Sequence, residues 1–87
     1  MANPAVVACA ADTWVKVATA VQSGFVSIKD NTPDGWVSTY KLTGEAAPTD
    51  DTTAVPMYLP GASISASVDI DVYIKAINKA GSVVVQV

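Results

Sequence analysis

From residue 13 onward, apolar and polar positions alternate with period two, and turn residues interrupt the alternation at short intervals. Successive side chains of a strand point to opposite faces, so this pattern predicts half-buried β-strands. In residues 13–22, Val15, Val17 and Val21 share one face with Thr19, while Trp14, Lys16, Ala18 and Ala20 share the other. In residues 25–29, Val26 and Ile28 alternate with Phe25, Ser27 and Lys29, and the intervening Ser23-Gly24 predicts a tight hairpin turn. Asp30-Asn31-Thr32-Pro33-Asp34-Gly35 is a dense turn signal. The next strand, residues 36–42, places Trp36, Ser38, Tyr40 and Leu42 on one face, and the polar stretch 43–54 reads as an exposed loop. Val55, Met57 and Leu59 alternate around Pro56, whose missing N–H marks an edge strand or a bulge.

The clearest stripe is Ile64, Ala66, Val68, Ile70, Val72, Ile74 and Ala76, opposed by Ser65, Ser67, Asp69, Asp71, Tyr73, Lys75 and Ile77. It predicts one long bent strand, or two strands broken near residues 66–68. A turn at Asn78-Lys79-Ala80-Gly81 leads to a last strand with Val83, Val85 and Val87 on one side. No segment repeats apolar residues at the three-and-four spacing of a helix. The expectation is an all-β chain: a small antiparallel β-sandwich or β-barrel of about six to seven strands. Residues 1–11 read as an extended N-terminal arm or an edge strand, and residues 12–87 as a single β domain. The core expected from the stripes is Val15, Val17, Val26, Ile28, Leu42, Ile70, Val72 and Ile74, anchored by Trp14 and Trp36, with Asp69, Asp71 and Lys75 exposed.

Composition narrows the function classes. A chain of 87 residues makes one domain. Hydrophobic residues make up 51% and charged residues 15%, well below the roughly 25% charge of an average soluble domain. Such sparse charge predicts that part of the surface is covered by a partner. Five basic against eight acidic residues give a net charge of −3, the wrong sign for a nucleic-acid binder. The start of the chain lacks the basic flank of a signal peptide, and its apolar run is too short to span a bilayer, so no membrane association is expected. Cys9 is the only cysteine; it forms no disulfide within the chain and reads as a small buried hydrophobe.

The same inventory argues against catalysis. With no histidine, a nucleophilic triad lacks its usual base. Ser27 and Lys29 share a strand face only as any residues two apart do. Asp69 and Asp71 are read as the wet face of a half-buried strand, and Asp50-Asp51 as loop charges, rather than as ligands for a cation. The expectation is therefore no enzyme, no cofactor and no metal site. Tyr58 and Tyr73, amphipathic rings suited to contact surfaces, join Pro4, Val6 and Val7 of the N-terminal arm as the candidate interface residues.

Three stretches carry a resemblance: Trp14-Val15-Lys16-Val17-Ala18-Thr19 with Val21 and Ser23-Gly24, then Tyr40 with Thr43-Gly44-Glu45-Ala46-Ala47-Pro48, then Ile70-Asp71-Val72-Tyr73-Ile74. Together, over most of the chain after Asp12, they resemble the small all-β structural proteins of tailed-bacteriophage virions, most of all the capsid decoration (cement) proteins. The resemblance implies a protein made in the host bacterial cytoplasm that ends on the capsid surface of the virion. Its implied partners are the major capsid protein and other copies of itself, as a homotrimer. A tail or baseplate component of the same build, and a carbohydrate-binding β module, are the alternatives.

Overall fold

The computed structural model describes residues 4–87. They form six strands and no helix: β1 (Ala5–Cys9), β2 (Trp14–Asp30), β3 (Gly35–Leu42), β4 (Val55–Pro56), β5 (Gly61–Ile77) and β6 (Gly81–Gln86). The strands lie in one sheet in the order β1-β6-β2-β5-β3-β4, and all the strand pairings are antiparallel. The chain is all-β, and its sheet is bent rather than closed.

Two strands of 17 residues each, β2 and β5, make the bend. The second half of β2 pairs with the first half of β5 on one side and with β6 on the other, and β1 completes that layer. The first half of β2 pairs with the second half of β5, which carries β3 and then β4. The inner faces of the two layers share one core, with Cys9, Val26, Val83 and Val85 from the first layer and Val17, Trp36, Ile70, Val72 and Ile74 from the second. The molecule measures 31 × 28 × 17 Å, and the short dimension suits two sheet layers stacked about 10 Å apart with their outward side chains.

Register shifts explain where the strands turn. The β2–β5 ladder slips between Lys16 and Ala18, between Ala18 and Val21, and between Val21 and Ser23. A bulge puts an extra residue into one strand and increases its bend. Within the first shift, Val17 and Ala18 are consecutive yet both buried, and within the second, Ala20 takes φ 54°. In the third, Val21 pairs with Ile70 and Ser23 with Ser65, so Gln22 stands opposite residues 66–69 of β5. That excursion interrupts the alternating stripe and leaves Val68 exposed.

Several expectations change accordingly. Ser23-Gly24 is no hairpin turn, because β2 runs straight through it. A side chain at Gly24 would meet the Gln86 carbonyl at 2.4 Å, so the glycine permits close approach of β6. The stripe from Ile64 onward is one long bent strand. Leu42 is 49% exposed rather than core, because β3 extends beyond the layer facing it. Val15, Ile28 and Trp14 are half-buried, whereas Trp36, Val17, Val26, Ile70, Val72 and Ile74 are buried as expected. In the N-terminal segment, Ala5–Cys9 forms edge strand β1, running antiparallel to β6 from Ala5↔Val85 to Cys9↔Gly81; its first three residues lie outside the described ones.

Candidate protein interface

The outer face of the second layer mixes polar and aromatic side chains and is largely covered. Residues paired directly across a sheet share a face, so Trp14, Lys16, Val37, Thr39, Asp71, Tyr73 and Lys75 stand together. The loop 43–54 is fastened over them: Trp14 Nε1 donates to the Asp50 carbonyl at 3.1 Å, the Thr39 and Thr53 hydroxyls bond at 2.7 Å, and Lys75 pairs with Asp51. The Lys75 ammonium also sits 5.2 Å from the centre of the Trp14 ring, a favourable cation–π distance. This cover corrects two expectations. Tyr73 is 3% exposed, so its ring is a packing element under the Lys16 ammonium and not an interface group. Lys75 is half-buried.

Asp71 is the third correction. Its alternation with Asp69 places it on the polar face, yet it is 3% exposed. Its Oδ1 accepts from the backbone N–H of Ala20 at 2.9 Å and from the Thr43 hydroxyl at 3.1 Å, and Lys16 lies 3.5 Å from Oδ2. The bulge that turns Ala20 away from its ladder frees an N–H, and Asp71 supplies the acceptor. These contacts, led by the Ala20 N–H, hold the carboxyl below the usual aspartate range. Asp34, held by Asn78 and Lys79, and Asp50, held by Thr52, are lowered too. A carboxyl with a lowered folded-state pKa contributes stability above its unfolded value of 3.8, and that contribution disappears as pH falls through the folded value. The thermal midpoint is therefore expected to stay level from neutral pH until the unfolded aspartate range and to fall below it. Asp71→Ala should lower the midpoint at neutral pH and flatten the acid fall; an unchanged acid limb in melts across that range refutes the role.

Asp69 remains exposed, with Oδ1 accepting from Gln22 at 2.8 Å. No group of three acidic or cysteine side chains converges closely enough to hold a metal ion among the described residues. Cys9 is buried on the core side of β1 and burial pushes its thiol pKa up, so the thiolate is scarce and the side chain serves packing.

What the surface offers instead is apolar and uncharged. Tyr58 is 75% exposed and its neighbour Leu59 62%. They sit where the chain crosses between the layers, held by Met57 N–H donating to the Trp36 carbonyl and Ile28 N–H donating to the Pro60 carbonyl, each at 2.9 Å. From Val55 to Gly61 the chain carries no charge. Beside this crossing a cleft of about 910 Å³ opens between β3 and the first half of β5, with Tyr40, Leu42, Val55, Ile64 and Val68 on its walls. At the opposite edge, Pro4 and Val6 are exposed and Val7 is half-buried against the core. Of the candidate interface residues, Pro4, Val6 and Tyr58 are thus exposed, Val7 half-buried and Tyr73 buried, while Leu59, Tyr40, Leu42 and Val68 are exposed apolar groups that the sequence reading did not single out. Leu59 carried a signal, an apolar pair between two prolines; the others lie on stripes that read as core.

No protein-family model, curated protein or solved structure matches this chain.

Proposed function

We propose that this chain is a structural protein of a tailed-phage virion that binds the capsid surface and stabilises the shell, as decoration proteins do. The observation that carries the reading is the crossing at Tyr58-Leu59: two large exposed side chains, side by side, in a seven-residue stretch, Val55 to Gly61, without charge. Exposed aromatic and aliphatic groups without surrounding Lys or Glu have the composition of an interface centre. The fastening of the crossing to Trp36 and Ile28 supports it further, because a preorganised contact loses less entropy on binding.

The test is co-sedimentation of the purified chain with undecorated shells of the phage that encodes it, with purified tails of the same phage as the comparison. Saturable binding to shells and a raised shell melting temperature are expected. The double substitution Y58K/L59K should weaken shell binding by ~tenfold or more, since central aromatic contacts carry most of an interface's energy, while the chain's own melt is unchanged. Binding to tails alone, or to neither, overturns the reading.

A further inference from the structure

The sheet ends differently at its edges. β4 is two residues long and contains Pro56, both devices that discourage further pairing. β1, at the other end of the strand order, is five residues of Ala, Val and Cys without charge or proline. A third edge lies within the sheet: residues 61–65 of β5 pair with β2 on one side and residues 66–69 form the excursion opposite Gln22, but β3 joins the other side only from Ile70 onward. Unpaired backbone N–H and C=O groups on such edges are met by water or by another strand.

The bare stretch of β5 runs along the cleft, and the inner face of β3 overhangs it with Tyr40, 64% exposed, and Leu42. A strand laid there finds backbone partners in β5 and a roof in these two side chains. The conditions on that strand are strict. It must be extended, its side chains must be small enough to pass beneath the roof, and it must be uncharged, because a charge held there is stripped of water. The β5 wall, Gly61 to Val68, has no charge of its own. Of the two charged residues that also line the cleft, Glu45 is engaged with the N–H of Leu42 at 2.7 Å, and Lys41 pairs across the sheet with Asp71, on the opposite face of β3 from Tyr40 and Leu42. β1 meets each condition: its largest side chain is valine, it has no charge, and Val6 is 60% exposed. β6 does not, since strands flank it on both sides.

We propose that β1 of one copy adds through its free side to residues 61–68 of β5 in the next copy, beneath Tyr40 and Leu42. Donor and acceptor are different parts of the chain, so the contact is head-to-tail and repeats until a ring closes. A five-residue ladder buries less than the ~1,000 Å² of a free-standing interface. Association is therefore concentration-dependent, and attachment of neighbours to one lattice strengthens it through effective concentration. The inference deepens the reading as a decoration protein and rests on it only for that lattice.

Sedimentation velocity on four samples tests it. V6K/A8K spoils the donor edge and L42K/V68K the acceptor, all at exposed positions, and each variant's melt reports that it folds. At roughly 100 µM, where mass action favours association, the wild-type chain should sediment with a weight-average mass at least twice that of a monomer. Each variant alone should be monomeric. Mixed in equal amounts they should form one-to-one dimers and nothing larger, because one intact β5 edge then meets one intact β1. A monomeric wild-type chain, a variant that still associates alone, or a mixture that stays monomeric overturns the proposal. Both variants keep Tyr58 and Leu59, so shell binding measured on the same samples separates failure of this contact from failure of the capsid reading.

Discussion

Gly61→Ala is expected to unfold the domain under conditions where the parent chain is folded. Gly61 has φ 151°, and a β-carbon there would stand 1.8 Å from the carbonyl oxygen of Val26 and 2.9 Å from the Cα of Ser27. Both obstacles are backbone of the neighbouring strand, so no side-chain rotation relieves them. Relief requires β5 to leave β2 where Ser27 pairs with Gly61. A loss of about 4 kcal/mol or more belongs to this kind of strain, against the roughly 3–5 kcal/mol that a core this small supplies. Gly35→Ala is the control, because its nearest neighbour would be Ile77 at 3.9 Å, an ordinary contact. Circular dichroism melts should show the first variant disordered and the second close to wild type. A Gly61→Ala midpoint within a few degrees of the parent's would mean that β5 does not approach β2 as described.

Ile74→Ala should come next in effect. Ile74 has no exposed surface and pairs with Val15 on one side and Ser38 on the other. It lies in the second half of β5, with its side chain in the core that the two layers share. Truncating a fully buried isoleucine removes its transfer energy and leaves a cavity, roughly 2–5 kcal/mol in all. Leu42→Ala removes a side chain of the same size from the overhang of the cleft, where water already reaches it, and surface changes of that sort stay within about 0.5 kcal/mol. The contrast between the two in urea denaturation tests which stripe faces the core. Equal losses would place Leu42 inside and close the cleft.

Period-two alternation was enough to find Val26, Ile70, Val72 and Ile74, because their neighbours on the same face are one strand away and the stripe is the physical cause of their burial. It failed where a long-range fact decided the outcome. Glycine signals a turn and a close approach equally well, so Ser23-Gly24 read as the end of a strand that continues to Asp30. Asp71 read as solvated because nothing near it in sequence reveals that the β2 bulge at Ala20 frees an N–H needing an acceptor. Tyr73 read as free because the loop that covers its neighbours begins 30 residues earlier, at Thr43. Leu42 read as core because alternation shows which face a side chain takes but not how far the opposite layer extends. Tyr58 was legible for the converse reason: a proline on either side of it leaves little sheet to bury it.

The pairing of β1 with β6 joins Ala5 to Val85, and β2 meets β5 only after β3 and the loop 43–54 have been made. The nascent chain therefore leaves the ribosome with β1 and half of β2 still waiting for partners in β6 that are translated much later. Loop closure over such separations precedes the contacts that reward it, which makes for folding on the order of milliseconds to seconds rather than microseconds. The domain should consequently fold in one late step, once β6 has left the ribosome, and chains stalled before Gly81 should be readily digested by protease.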